Sequence, residues 1–273
     1  MESSPFNAAA TALQPVDPVR PPAGYVGGKR NLAKRLVPRI DAIPHTLYAE
    51  PFVGMGGVFF RRTRRPKAEI INDISADVTT LFRILQRHYQ PFLDMLKWRF
   101  ASRGEFDRLL AVDPDTCTDL ERAARFLYLQ RTAFGGKVTG RSFGVSYEAP
   151  SKFRLSTLEP LLQDIHDRIE GVQIERLPYD VFIRRCDRPG ALFYLDPPYH
   201  GSERDYGDAF APADFAALAE LLAGIEGRFV LSINATPEMR AIFARFDVEE
   251  VPVTYSLGGM HKAQRVTELI VSN

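Results

Sequence analysis

The chain has 273 residues, of which 45% are hydrophobic and 25% charged, an ordinary globular composition that holds one large domain or a domain with an insert. Two cysteines, Cys117 and Cys186, exclude a disulfide scaffold and a cysteine metal cluster, and read as neutral thiols. The net charge of +1 singles out no partner, and with no charged-then-apolar leader and no long apolar run a soluble, cytoplasmic protein is expected.

The first 22 residues, MESSPFNAAATALQPVDPVRPP, are rich in Ala, Ser and Pro and are expected to form a flexible tail. YVGGKRN fails as a phosphate loop, because Ala23 stands where a glycine is needed and Arg30 where Ser or Thr is needed. It reads as the approach to a helix over LAKRLVPRI, with Tyr25 and Lys29 placed to reach a ligand cleft. TLYAEPF predicts a strand ending at Gly54, and GGVFFRR the start of a helix. AEIIND predicts a second strand, and DVTTLFRILQRHY an amphipathic helix. Residues 91–155 break this rhythm. FLDMLKWRF and DLERAARFLYLQR are helix-like, and FGGKVTGRSFGVS, with Gly135, Gly136, Gly140 and Gly144, predicts a mobile β-hairpin. VQIERLP, ALFYLD and RFVLSIN predict three further strands. Between the last two, PADFAALAELLAGI carries Phe215, Leu218, Leu221 and Leu222 at helical spacing, bounded by Pro212 and Gly224. EEVPVTYSL and RVTELIVSN, joined by GGMHKAQ, predict an antiparallel hairpin. Repeated βα units imply a mostly parallel sheet with helices on both faces.

Three places carry chemistry. EPFVGMGGVFF sets Gly54 and Gly56 between strand and helix, where a ligand can approach the backbone closely. Phe59 stands where a dinucleotide fingerprint needs its third glycine. Asp73 ends the second strand, 19 residues after Gly54, where a carboxylate can hold both hydroxyls of a ribose. A helix-capping role would also suit it. The third place is the Asp-Pro-Pro-Tyr turn, Asp196 to Tyr199, directly after a buried strand. An exocyclic amino group on a base is a poor nucleophile, because its lone pair is delocalised into the ring. Asp196 and the carbonyl of Pro197 are two acceptors that can hold its hydrogens and localise that pair, and Tyr199 can stack on the ring. Tyr206 and Phe210, in the loop that follows, are candidates to close over the base. Charge is also clustered. Residues 20–39 hold six Lys/Arg and no acid, and residues 125–154 hold six and one acid, Glu148. Such stretches suit a phosphate backbone, with Arg131, Lys137 and Arg141 as the candidate contacts.

With YVGGK, EPFVGMGGVFF, IINDI, LPYD, DPPY and GGMHKAQRVTELIVSN in this order, the chain resembles the Dam-type DNA adenine methyltransferases from about residue 23 to its end. The resemblance implies a seven-stranded Rossmann-like α/β sheet with the hairpin as strands six and seven. It implies S-adenosyl-L-methionine as methyl donor, with double-stranded DNA as partner. Tyr25 and Lys29 would lie along the methionine part of the cofactor, Phe52, Gly54 and Gly56 would form its loop, and Asp73 would hold the ribose. Asp180 would sit by the cofactor's adenine, and Asp196 would touch both cofactor and target. Asp196, Pro197 and Tyr199 would grip an adenine flipped from the duplex. Residues 23–90 and 156–273 would form the catalytic domain and 91–155 the target-recognition insert. In the family that insert carries an Arg/Asn-containing segment; here it reads LQRTAFGGKVTGRSFG, with Ala133 and Gly135 where polar or aromatic residues are often found. The rival readings are transfer to another planar amine (cytosine, RNA or a protein amide), an NAD-binding enzyme, and a non-catalytic DNA-binding protein. Phe59 and the closing hairpin speak against NAD, and the presence of Asp73, Asp196 and Tyr199 against a relic pocket.

Overall fold

The computed structural model describes residues 13–25, 28–201, 210–256 and 263–273. Seven strands form the main sheet: β1 (Leu47–Glu50), β2 (Ala68–Asn72), β3 (Gln173–Glu175), β4 (Ala191–Leu195), β5 (Arg228–Asn234), β6 (Asp247–Ser256) and β7 (Ala263–Ser272). Their spatial order is β3-β2-β1-β4-β5-β7-β6. The first five are parallel, and β7 runs antiparallel to both β5 and β6. This is the expected mostly parallel sheet closed by an antiparallel hairpin. The turn of that hairpin lies outside the described residues.

Side-chain alternation splits the core into two layers. Tyr48, Leu192, Tyr194 and Val230 face one side. There they meet α1 (Ala33–Ala42), α2 (Ala76–Arg87), α5 (Asp119–Thr132) and α6 (Leu155–Arg168) through Leu36, Leu81, Leu127 and Leu162. Leu47, Ala49, Phe193 and Leu231 face the other. They meet α7 (Tyr179–Cys186), α8 (Pro212–Ala223) and α9 (Pro237–Ile242) through Phe182, Leu218 and Met239. All five residues of β4 are buried, as a parallel strand covered on both faces requires. The chain moves outward from β1 to β2 and β3, then crosses back to set β4 on the other side of β1. The carboxyl ends of β1 and β4 therefore flank the switch-point crevice, where open α/β sheets bind ligands.

Between β2 and β3 lie α2, α3 (Tyr89–Leu96), α4 (Arg103–Ala111), α5 and α6. Thr118 and Glu121 cap α5 reciprocally, each side chain taking up the other's backbone N–H. Phe92, Leu96, Phe106 and Leu109 from α3 and α4 join the same apolar cluster as α2, so these helices share the core of the sheet.

Three local predictions need correction. GGVFFRR forms turns and only a 3-10 segment, Phe59–Arg61, because Gly54 and Gly56 take φ of +51° and +71° and break helical continuity. The hairpin predicted after α5 is a single bridge, Ala133 to Phe143, with a 3-10 turn at Phe134–Gly136. Gly135, Gly136 and Gly140 all have positive φ, which bends the chain away from a continuing ladder. The expected tail is held down over its last part. Gln14–Pro15 pair with Arg64–Arg65, Val19 N–H donates to Phe60 O, and Pro22 is buried. Residues 1–12 lie outside the described set.

At the amino ends of the strands sits a buried ionic network. Glu69 of β2 accepts from Arg62 at 2.7 Å and, with both oxygens, from Arg168 of α6 at 2.7 and 2.8 Å. Arg62 lies 3.6 Å over the Tyr48 ring and donates to His45 Nε2 at 3.3 Å. Burial lowers His45 to about 4, so it is neutral at physiological pH, with Nδ1–H directed at the Ile43 carbonyl.

Candidate active site

The Asp-Pro-Pro-Tyr turn leaves the carboxyl end of β4. Pro197 is buried, and the backbone beyond it is clamped by Asn234, which ends β5. Asn234 Oδ1 accepts from His200 N–H at 3.0 Å, and its amide donates to His200 O at 2.9 Å. This two-way clamp, together with two prolines, fixes the direction of the Asp196 side chain. Ser232, also on β5, is hydrogen bonded to the Tyr194 hydroxyl at 2.8 Å and donates to Asp196 at 3.4 Å.

Lys29 meets this turn. Its ammonium lies 2.7 Å from Asp196 Oδ1, donates to the Tyr199 hydroxyl, and sits 4.1 Å from the Tyr199 ring centroid. Its side chain is 2% exposed. Of the predicted residues, then, Lys29, Asp196 and Tyr199 form one cluster. A nitrogen donor already occupies the acceptor that the sequence reading reserved for an amino group. Burial raises Asp196 to about 6, Lys29 opposes that rise, and the nearby Glu268 adds to it. Glu50, at the end of β1, is 1% exposed and accepts from the Tyr48 hydroxyl at 2.7 Å. Burial raises it to about 8, so it is protonated at neutral pH. Asp196 is therefore the ionised partner of Lys29, and Glu50 adds no full charge beside it.

A second group forms at the carboxyl ends of β1 and β2. Asp73 accepts from Gly54 N–H and from Ser75 N–H, each at 2.9 Å. Burial raises it to about 6, against the lowering effect of those two donors. Each oxygen keeps a second lone-pair direction for a further donor. Asn72 holds the neighbouring segments by donating to Pro51 O and Leu177 O and accepting from Leu177 N–H. A Cβ at Gly54 would stand 3.3 Å from the Tyr25 ring, and one at Gly56 would collide with the Phe60 ring. Tyr25 thus lies directly against the glycine loop.

Phe52 packs on Tyr179 and Phe210 at ring separations of 5.6 and 5.8 Å. Phe210 is 3% exposed and also meets Phe215 at 4.8 Å, so it is part of a fixed aromatic cluster. Tyr206 lies outside the described residues. Asp180 is half-buried in the first turn of α7, beside Tyr179.

The three candidate DNA contacts stand apart from this crevice. Arg131 donates to Pro22 O at 2.6 Å and to Lys152 O at 2.8 and 2.5 Å. Arg141 donates to Gln130 Oε1 and to Lys137 O, both at 3.1 Å, and lies over the Phe126 ring. Both guanidiniums are engaged within the protein, while Lys137 is exposed. Sequence reasoning did not single out Glu50, Ser232 or Asn234. The available signal was position alone, as each is a polar residue at or near the carboxyl end of an apolar strand.

Among the described residues, no helix is long and apolar enough to cross a membrane. The family described as D12 class N6 adenine-specific DNA methyltransferase matches residues 25–257. The type II methyltransferase M1.LlaDCHI of Lactococcus lactis subsp. cremoris is 23% identical over 279 residues, covering 93% of this chain and 95% of its own. The type II methyltransferase M.MjaIII of Methanocaldococcus jannaschii is 22% identical over 209 residues, 66% of this chain and 69% of its own. The family match spans both residue clusters and the elements that carry them. The chain belongs to the D12 class N6 adenine-specific DNA methyltransferases, enzymes that take their methyl group from S-adenosyl-L-methionine.

Proposed function

We propose that this enzyme methylates the exocyclic amino nitrogen of an adenine flipped out of a specific site in double-stranded DNA, and that Asp196, Pro197 and Tyr199 receive that adenine. The observation that carries the reading is the Lys29 ammonium on Asp196 and Tyr199, since it marks the turn as a receptor for a nitrogen with hydrogens to donate. Asp196 takes one amino hydrogen, the Pro197 carbonyl takes the other, and Tyr199 stacks on the ring. Lys29 has to withdraw from Asp196 as the base enters. With Lys29 along the methionine part of the cofactor, that part's carboxylate would hold the ammonium in place of Asp196. The flipped base costs a few kcal/mol of lost stacking, which Tyr199 partly restores.

The residues present fit the donor. Gly54 leaves its backbone without a side chain beside Tyr25, and Asp73 retains acceptor capacity for ribose hydroxyls. When bound, S-adenosylmethionine supplies the activated methyl on its sulfonium. Tyr25, Lys29, Phe52, Gly54, Gly56, Asp73, Asp180 and Asp196 are the proposed cofactor contacts. Residues 91–155 are proposed as the recognition insert, where Lys137 offers an exposed charge. The direct test is incubation with labelled S-adenosylmethionine and mixed duplex DNA, followed by digestion to nucleosides. Label is expected in N6-methyldeoxyadenosine; label in a methyldeoxycytidine, or in neither, overturns the reading.

Asp73→Ala is expected to weaken S-adenosylmethionine binding roughly 10- to 100-fold, the worth of one or two hydrogen bonds to a charged acceptor. Unchanged affinity by calorimetry removes the ribose assignment. The kcat/KM for DNA, which reports the enzyme before the base displaces Lys29, should also fall as pH drops through about 6, where Asp196 gains a proton and loses its charge as an acceptor. Lys29 lowers the Asp196 pKa, so Lys29→Gln should move this acid limb to higher pH. A limb that stays in place, or moves to lower pH, contradicts the pairing as the control of Asp196.

A further inference from the structure

Positive charge on α1 is unevenly matched. Arg39, near its carboxyl end, pairs with Glu249 of β6 at 2.9 Å. Lys34 and Arg35, near its amino end, are exposed and form no ion pair among the described residues. Arg30, one turn before Lys34, is exposed as well. This end of α1 follows directly on Lys29, and hence on the Asp196 turn.

β6 supplies the opposite wall. Glu268 of β7 pairs with Asn234, the last residue of β5, and also with Val251 of β6. Residues of β6 after Val251 therefore overhang the carboxyl edge of the parallel strands, the edge that carries Asp196. The acids of β6 are Asp247, Glu249 and Glu250, all in its other half. Asn31 ties the two walls by donating to Thr254 O at 2.5 Å. Between them is an open groove of about 300 Å³, lined by Asn31, Lys34, Arg35, Pro252 and Thr254. Among the described residues it holds two cations, no acid and a neutral strand wall.

We propose that this groove is a phosphate-backbone site for the DNA substrate, holding one strand beside the turn that receives the base. The inference rests on DNA as substrate, as set out under the proposed function. Lys34 offers a compact charge and Arg35 a fork that matches phosphate oxygens. Pro252 removes a backbone donor from this edge strand, which disfavours a further strand pairing there and leaves a charged ligand as the occupant.

The test is the full chain carrying Lys34→Ala with Arg35→Ala, its affinity for fluorescent duplexes of several sequences measured against salt. Each lost phosphate contact reduces the slope of log affinity against log salt by about 0.9, so the double variant should lose about 1.8. The loss should be alike for all sequences, and S-adenosylmethionine affinity should not change. Arg39→Ala, already neutralised by Glu249, should keep the wild-type slope. A double variant with an unchanged slope, or an equal fall in Arg39→Ala, overturns the groove. Adenine methylation by the wild type then leaves the parent reading standing. A wild type that neither binds nor methylates DNA removes both.

Discussion

Asp196→Ala is expected to lower methyl transfer by at least about 10³-fold while S-adenosylmethionine still binds within about tenfold of wild type. The argument starts from the amino nitrogen, which reacts only when its lone pair points out of the ring. Asp196 provides the charged acceptor, held in place by Ser232, the two prolines and the Asn234 clamp on His200. Alanine removes the acceptor and leaves those supports intact but strands the buried Lys29 ammonium, so the loss should appear in kcat together with a lower Tm. Asp196→Asn should be nearly as damaging, because its amide presents hydrogens toward a group that also presents hydrogens. Single-turnover methylation with saturating cofactor separates chemistry from binding. A variant that keeps more than a tenth of wild-type turnover would show that another group orients the amine.

How much of this was legible in the sequence differs by feature. The sheet was, because runs such as ALFYL and RFVLSIN are too apolar to sit anywhere but between two helical layers. The glycine loop was located but its local structure was not, since positive φ at Gly54 and Gly56 is a consequence of what the chain must turn around. Asp73 was visible from its place at a strand end. Its bond to Gly54 was not, because it arises when β1 and β2 pair, whereas its bond to Ser75, two residues on, is of the local kind the capping reading allowed. The closure of Lys29 on Asp196 joins residues that only the fold brings together. The basic stretches show the opposite limit. Sequence counts charges, but it does not show that Arg131 and Arg141 are committed to carbonyl and amide oxygens while Lys34 and Arg35 remain exposed.

The buried network under the site leads to the second large effect. Glu69→Ala is expected to destabilise the fold by about 3–5 kcal/mol. Glu69 is 5% exposed and is the carboxylate to which both Arg62 and Arg168 donate, each of them almost fully buried. Removing it leaves two guanidiniums facing each other with little water, a cost far above that of losing a surface pair. His45 cannot compensate, because it is neutral and itself accepts from Arg62. Asp41, at 3.9 Å from Arg62, is the remaining counter-charge and is more distant. For a chain of this length the loss corresponds to a fall in Tm of roughly 5–9 °C. Calorimetric unfolding checks it, and a Tm within about 1 °C of wild type would show that the network contributes little. The effect should also reach the crevice. Arg62 stacks on Tyr48, Tyr48 donates to Glu50, and Glu50 leads within four residues to Gly54. Loosening Arg62 should therefore weaken cofactor binding at temperatures where the fold is still intact, whereas an exposed pair such as Arg245–Glu220 should be neutral in both measurements.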